Sequence, residues 1–371
     1  MNHRGITSDT FRTLPSHLPD GAMLLFNNTK VIRARMVFRK VTGAAIEVFF
    51  LNPLEPSRDH EVVFGLGSPA VWECVIGNAR KWKNGELVLQ FPCGGVEVTL
   101  RAEMLAKGRE SSEVGLIWEP QQIPLADIFE AVGHIPLPPY LDRSDEPLDV
   151  DRYQTVYAHY DGSVAAPTAG LHFTPAVLSD LAARGIRQEK ITLHVGAGTF
   201  RPVSASSVAD HVMHREEIVV QRELLEALVE HPGMVIPVGT TSVRTVESVY
   251  WYGLRAMQEQ GLIAPHFSVD QWEPYDYPDS SLPPYREVFA YLLKAMAEQG
   301  VSSLRGATRL MIVPGYRFAV TGGLITNFHQ PGSTLLMLVA ALVGERWKEA
   351  YRFALDNDFR FLSYGDACLF L

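Results

Sequence analysis

Ser163-Val-Ala-Ala-Pro-Thr-Ala-Gly-Leu-His172-Phe-Thr-Pro175 and, further along, Ile191-Thr-Leu-His194-Val-Gly-Ala-Gly-Thr199-Phe-Arg201-Pro202 are the stretches whose reading decides the fold. Between them the residues spell a short helix. Thr174 is a natural N-cap, Pro175 suits the first helical position and Gly185 suits a left-handed residue just past the end. Val177, Leu178 and Leu181 fall on one face, so this helix is scaffold. The flanking segments are different, because each brings small residues, a hydroxyl and a histidine to a strand or helix end. Gly196 and Gly198 permit dihedrals that other residues resist, and small residues let backbone approach a ligand. A ligand pocket at the edge of an α/β layer is expected.

At 371 residues with 47% apolar content the chain is long enough for two domains. Its longest apolar run, from Leu335 to Val343, falls far short of the roughly 20 residues of a membrane helix. The N-terminus carries no apolar signal-peptide core, so a cytoplasmic location is expected. Cys74, Cys93 and Cys368 lie far apart without metal-ligand spacing and read as reduced structural thiols. The net charge of −9 argues against holding nucleic acid by bulk electrostatics. A clustered basic face still works at a Debye length of roughly 8 Å.

From the N-terminus, Met23-Leu-Leu-Phe26 is a short strand running into the polar turn Asn27-Asn-Thr29. Alternation places Arg33, Arg35 and Arg39 on one strand face, either an anion-binding stripe or a solvated surface. From Ala34 to about Trp118 the pattern is all-β, with short runs at 45–51, 71–76, 86–91 and 96–101, which suggests a small barrel or sandwich. The loop Asn78–Gly85 combines Arg80, Lys81 and Lys83 with Trp82, suited to a phosphate backbone and a stacked base, or to a plain hairpin tip. Residues 123–133 look helical, and Ile135-Pro-Leu-Pro-Pro-Tyr140 has the composition of a linker.

Beyond the linker, strands and helices alternate. Met234–Val238 reads as a buried strand that opens through Gly239-Thr240-Thr241-Ser242 into a helix, an arrangement that takes carboxylate or phosphate. It has neither P-loop nor dinucleotide glycine spacing, so neither ATP nor NAD is indicated. Arg244 and Glu247 on that helix are either site residues or surface charges. Residues 260–284 form a Pro-, Tyr- and acid-rich excursion, followed by an amphipathic helix over Val288–Met296. Further strands, Leu310–Val313 and Gly323–Thr326, end in Pro314-Gly-Tyr-Arg-Phe318 and in Asn327-Phe328-His329-Gln-Pro. Ser333 caps a helix that is apolar all round and hence buried, and the tail carries Ser363-Tyr364-Gly-Asp366. Polar groups gathered where strands end are what a crevice site looks like.

His172, His194, His214 and His329 raise the question of a metal, but no HExxH or comparable spacing occurs. No Gly-x-Ser-x-Gly elbow occurs either. Histidines, hydroxyls, Arg and a late Asp remain, suited to proton transfer on a polar, partly anionic substrate.

Taken together, Val164-Ala-Ala-Pro-Thr-Ala-Gly-Leu-His-Phe-Thr, Thr192-Leu-His-Val-Gly-x-Gly-Thr-Phe-Arg-Pro, Val238-Gly-Thr-Thr-Ser-Val-Arg-Thr, Pro314-Gly-Tyr-x-Phe, Thr326-Asn-Phe-His-x-Pro-x-Ser-Thr-Leu-Leu and Ser363-Tyr-Gly-Asp resemble the S-adenosylmethionine:tRNA ribosyltransferase-isomerase family of queuosine biosynthesis. Phe26-Asn-Asn-Thr-Lys-Val-Ile-x-Ala-Arg, Leu137-Pro-Pro-Tyr and Tyr153-Gln-Thr-Val-Tyr157 look like the same family. The resemblance implies a main α/β domain with a mixed sheet flanked by helices, here 1–33 and 138–371, and an inserted all-β barrel, here 34–137.

It also implies an activity. The ribosyl group of S-adenosylmethionine, consumed as donor, is transferred and isomerised onto 7-aminomethyl-7-deazaguanine at the wobble position of a tRNA, with release of adenine and methionine. No metal and no membrane are implied, and a monomer is expected. For such chemistry His172, His194 and His329 are candidate bases, with Asp366 or one of them protonating the departing adenine. Thr168, Gly170, Gly196, Gly198, Thr199, Phe200, Arg201, Gly239, Thr240, Thr241, Ser242, Arg244, Asn327, Phe328 and Tyr364 are candidate substrate contacts. The methionine carboxylate would suit the helix start at Gly239–Ser242 or Arg201. Arg33, Arg35, Arg39, Arg80, Lys81, Trp82 and Lys83 are candidate RNA contacts, Arg80–Lys83 standing where the family usually has Lys-Arg-Leu-Lys. Residues 251–305 are longer than the usual connection. Family members usually carry a further N-terminal stretch, so a tRNA-binding homologue with impaired catalysis is the alternative expectation.

Overall fold

The computed structural model describes the chain except for residues 1–4, 41, 84, 109–110, 142, 197–207, 262, 265 and 279–281. It divides into two compact units, one of Met1–Asn28, Thr155–Ala158 and Pro167–Leu371, the other of Thr29–Gln154 and His159–Ala166. In chain order the strands are β1 (Met23–Asn27), β2 (Thr29–Val31), β3 (Arg35–Arg39), β4 (Ala45–Glu55), β5 (Ala70–Gly77), β6 (Leu87–Cys93), β7 (Val96–Lys107), β8 (Ser112–Glu119), β9 (Tyr160–Ser163), β10 (Arg187–His194), β11 (Glu216–Gln221), β12 (Val235–Val238), β13 (Phe267–Val269), β14 (Ser303–Thr308), β15 (Leu324–Asn327) and β16 (Ala367–Phe370).

The first unit is built on a mixed sheet in the order β13-β14-β11-β10-β1-β12-β15-β16. Every residue of β1 is buried, as expected of a parallel strand covered on both faces. It lies between β10 and β12, parallel to both, while β11 and β16 run antiparallel to their neighbours. The helix Pro175–Ala183 forms as its caps predict. Thr174 Oγ1 accepts from the Val177 N–H at 3.3 Å, and Gly185 adopts φ +72°. Its Val177 and Leu181 pack with Leu24, Phe26 and Ile236, which joins the helix to the sheet. A long helix, Thr240–Glu259, is buried along most of its length.

The second unit is an antiparallel sheet in the order β3-β4-β5-β8-β7-β6, whose end strands β3 and β6 approach each other so that the barrel nearly closes. Burial alternates along its strands, with Met36, Phe38, Ile46, Val48, Phe50, Trp72, Leu100, Leu116 and Trp118 inside. The α/β domain with a barrel-like insertion is therefore borne out as a fold class. The unit boundaries fall elsewhere than 33/34 and 137/138. β2 pairs in parallel with β9, and Gln154 Oε1 accepts from the Val31 N–H at 3.0 Å, so residues 29–33 and the segment after the linker go with the barrel.

Two local expectations are corrected. Residues 310–313 form no strand; the strand is β14, which finds partners on both sides in β11 and β13. The following segment is instead held by Tyr275, whose hydroxyl donates to Met311 O at 3.0 Å and accepts from Val313 N at 3.1 Å. The helix Thr334–Val343 is capped by Ser333 as expected, yet only Leu336, Leu338 and Val339 are buried and the rest is half-buried. Among the described residues no helix is long and apolar enough to cross a membrane.

Gly306 of β14 lies against the ring of Phe267, which is buried and stacked on Tyr252 with centroids 4.4 Å apart. A Cβ there would stand 2.3 Å from the ring. Gly306→Ala is expected to destabilise the protein by about 1–3 kcal/mol through overpacking, measured by urea unfolding.

Candidate active site

Parallel strands share an edge where their carboxyl ends emerge, and in an open α/β sheet that edge is where ligands bind. β1, β10, β12 and β15 end there at Asn27, His194, Val238 and Asn327. Antiparallel β11 and β16 begin there, so Glu216 and the residue before Ala367, Asp366, arrive at the same edge. Buried Asn27 clamps the neighbouring strand just before His194: its Nδ2 donates to Leu193 O at 3.0 Å and its Oδ1 accepts from Leu193 N at 3.1 Å. Asn28 Oδ1 accepts from Thr192 Oγ1 at 2.7 Å. These asparagines read from sequence only as a turn. They hold the strand end that carries His194.

At the β15 end a relay is assembled. Thr168 Oγ1 donates to Asn327 Oδ1 at 2.8 Å, and Asn327 Nδ2 donates to His172 Nε2 at 3.2 Å. An amide nitrogen can only donate, so His172 Nε2 accepts and its proton sits on Nδ1. The imidazole stacks on Phe11 with centroids 5.1 Å apart. Burial pushes the His172 pKa below the ordinary histidine value; Asp366 opposes that shift and Arg360 adds to it. A cleft of about 220 Å³ is lined by His172, Asp366, Phe328 and the pair Asp9–His17, whose Nε2 and Oδ2 are 3.0 Å apart. That is below the roughly 300–1,000 Å³ of a full small-molecule pocket, so the cleft suits one part of a larger ligand. Asp366 is engaged through both oxygens: Oδ2 accepts from Arg360 N at 2.7 Å and Oδ1 lies 3.5 Å from the Arg360 guanidinium, bracing the turn that carries Tyr364. Asp9 and His17 gave no sequence signal beyond a polar N-terminus.

The long helix begins at Gly239, whose φ of +85° and N–H donated to Ile325 O at 2.7 Å set the entry. The first-turn N–H groups of Thr240, Thr241 and Ser242 are those a helix leaves unpaired. The Ser242 hydroxyl itself is turned inward, donating to Val238 O at 2.7 Å. Arg244 and Glu247 are not surface charges. Arg244 is buried in an ion pair with Glu216 and donates from Nε to Leu310 O at 3.0 Å. Glu247 is buried and accepts from Tyr316 Oη and from the N–H groups of Ala319, Val320 and Thr321, at 2.9–3.1 Å. Arg244 therefore braces the interior, and its Nη2 is buried without a hydrogen-bond partner among the described residues.

Glu216 reaches a second residue. Its Oε1 lies 3.2 Å from His214 Nε2, whose side chain is 31% exposed. Burial alone would push Glu216 up, but Arg244 and His214 outweigh it and hold the carboxyl at about 2. His214 stood among the histidines of the sequence without a role. The signal was there in the spacing His214-x-Glu216, which at a strand start puts both side chains on one face.

Other candidates separate. His329 is buried, with Nε2 2.9 Å from Thr326 Oγ1 and its pKa pushed by burial to about 4. Gly170 is packed so closely on Thr155 and Tyr157 that a Cβ would meet Tyr157 Oη at 2.0 Å, which makes it a packing glycine. Phe328 is buried against Tyr351 and Phe361 and lends the cleft an apolar edge. Gly196 lies within 3.5 Å of His214, measured from where its Cβ would be. Gly198, Thr199, Phe200 and Arg201 lie outside the described residues.

In the barrel unit the basic set also divides. Arg33 pairs with Glu130 at 3.1 Å and Arg35 with Glu47 at 2.8 Å, so both neutralise neighbours. Trp82 is no stacking platform, being buried with its Nε1 donating to Gly85 O at 2.9 Å. Arg39, Arg80, Lys81 and Lys83 are exposed, and Lys40 Nζ donates to Lys81 O at 3.0 Å, which draws the β3–β4 turn and the 79–83 loop into one basic tip.

A family model described as queuosine biosynthesis protein matches residues 1–370. The chain belongs to this family. The resemblance carried by the sequence motifs is thereby borne out over residues 1–370, as is a place in queuosine biosynthesis. Among solved structures it is similar to a crystal structure of S-adenosylmethionine tRNA ribosyltransferase from Thermotoga maritima, 27% identical, covering 97% of this chain and 86% of that one with a TM-score of 0.41. The superposition is loose, and the family match is what assigns the chain. Among the described residues no three His, Cys, Asp or Glu side chains are gathered as a metal site requires.

Arg244→Met would leave Glu216 buried with His214 alone as an ionisable partner, and is expected to cost about 3–5 kcal/mol in urea unfolding at neutral pH. A folded pKa of about 2 against 4.5 unfolded means the stabilisation is complete above about 4.5 and is lost as pH falls toward 2. Melts of the wild type across that window should show the loss, and melts of the variant should show a smaller one, since His214 still faces Glu216.

Proposed function

We propose that this queuosine-family chain transfers and isomerises the ribosyl group of S-adenosylmethionine to 7-aminomethyl-7-deazaguanine at the tRNA wobble position, giving epoxyqueuosine and releasing adenine and methionine. The match to the queuosine biosynthesis family over residues 1–370 carries this reading. The site chemistry supports it. Adenine is a poor leaving anion and needs a proton as it departs; the cleft offers His172 with its proton on Nδ1, beside Asp366. Asn327 holds that tautomer by donating to Nε2, and Thr168 orients the Asn327 amide by donating to its Oδ1. The methionine carboxylate suits the free N–H groups at Thr240–Ser242, where the helix dipole favours an anion. S-adenosylmethionine is a substrate here, consumed as the ribosyl donor, and the chemistry needs no metal. A tRNA substrate puts the reaction in the cytoplasm. Its phosphates suit the exposed Arg39, Arg80, Lys81 and Lys83, a local cluster on a chain of net charge −9.

Incubation with S-adenosylmethionine and tRNA carrying the deazaguanine should release adenine, and only when that tRNA is present. tRNA retention without adenine release would instead support a binding homologue. His172→Ala is expected to lower kcat by about 10²–10⁴-fold with a small change in KM, the range for losing one proton-transfer group. Reversing Arg80, Lys81 and Lys83 to Glu should weaken tRNA binding at least about tenfold near physiological salt and flatten its salt dependence. The affinity for S-adenosylmethionine should not change.

A further inference from the structure

The cleft at the β15 end has a wall to which the ribosyl-transfer reading gives no task. Besides His172 and Asp366, it is lined by Asp9, His17, Phe11 and Phe328. Aromatic walls around about 220 Å³ leave room for one flat bicyclic ring, and two imidazoles are among those walls.

The partners of the two imidazoles set them in opposite states. Asn327 donates to His172 Nε2, which leaves the His172 proton on Nδ1. Asp9 is fixed as an acceptor: its Oδ1 takes the Thr10 N–H at 2.7 Å and its Oδ2 lies 3.0 Å from His17 Nε2. The hydrogen bond from His17 holds the Asp9 carboxyl below its usual range. His17 Nε2 is therefore the donor, and in the neutral ring Nδ1 keeps its lone pair. Neither Nδ1 has a hydrogen-bond partner among the described residues. The N-terminal turn does not need His17, because Asp9 already takes Thr10 N and Thr13 Oγ1 donates to Thr10 O at 2.8 Å. Phe11 and Leu14 anchor the segment by packing on Phe173 and its core.

One cleft thus presents a nitrogen that donates and a nitrogen that accepts. Adenine carries the matching pair on one edge, the N7 acceptor beside the N6 amino donor, whereas a 6-oxopurine offers two acceptors there. We propose that His17, with Asp9 as its positioning residue, is the specificity-determining contact for the base of the ribosyl donor: His17 Nδ1 accepts from the N6 amino group while His172 Nδ1–H donates to N7. The inference rests on the ribosyl-transfer reading and adds to it the reason why that base is a 6-aminopurine.

Equilibrium binding of S-adenosylhomocysteine and S-inosylhomocysteine to the intact chain tests the contact without turnover. The wild type should prefer the adenosyl ligand at least about fivefold, since the inosyl O6 meets a second acceptor at His17, whose side chain is 41% exposed. His17→Phe keeps a planar ring and should bring the preference to within about twofold. Asp9→Asn no longer fixes the His17 tautomer and should narrow the preference, which carries the test if the first variant does not fold. Equal binding of the two ligands by the wild type overturns the proposal. So does a preference kept by folded His17→Phe or, failing that variant, by Asp9→Asn. A discriminating protein that releases no adenine with the deazaguanine tRNA would reject the ribosyl-transfer reading and leave the purine contact standing. Adenine release by a protein that binds both ligands equally would do the reverse.

Discussion

Two charges buried on one helix must be neutralised where they lie, and much of the larger unit is arranged by that requirement. An uncompensated charge in a protein interior costs several kcal/mol, so Arg244 and Glu247 dictate what surrounds them. Arg244 draws in Glu216 and thereby fixes the start of β11. Glu247, one turn along, gathers three successive backbone N–H groups and the Tyr316 hydroxyl, and so shapes the loop after Val313. Burial pushes the Glu247 pKa up against the pull of those donors, which is why so many are needed. The helix whose first-turn N–H groups at Thr240–Ser242 are left unpaired is thus also the part that orders the loops around it.

The sheet turns this into chemistry by bringing distant residues to one edge. Two histidines there have partners of opposite character, an amide nitrogen that only donates and a carboxylate that only accepts. The amide leaves His172 Nε2 as an acceptor, and the carboxylate calls for a proton on His214 Nε2.

What was legible in the sequence was what local chemistry decides. Thr174, Pro175 and Gly185 delimit a helix because a cap acts on its own first and last turn. The barrel strands showed in alternation, since one face of each is buried. The strand β14, Ser-Leu-Arg-Gly-Ala-Thr, was passed over in favour of the more apolar 310–313, because its status comes from two partners far away in the chain. Trp82 looked like a base platform and Arg33 and Arg35 like an anion stripe; the tryptophan's own loop and the carboxylates of Glu130 and Glu47 had prior claim on them. The pairing of His214 with Glu216 was readable, but Arg244, which gives it meaning, comes from another element.

The position of β1 has a consequence for biogenesis. It is made before the other described strands and lies inside the finished sheet, yet its partners β10 and β12 are made long afterwards. The six-stranded barrel, whose pairings are complete once β8 has emerged, can close while Met23-Leu-Leu-Phe26 still waits with both backbone edges bare. An unpaired apolar segment of this kind is a template for intermolecular association. Nascent chains therefore pass through a period in which the insertion is finished and its host is not, and yield in heterologous production should depend on slow synthesis or on holdase chaperones that cover this segment.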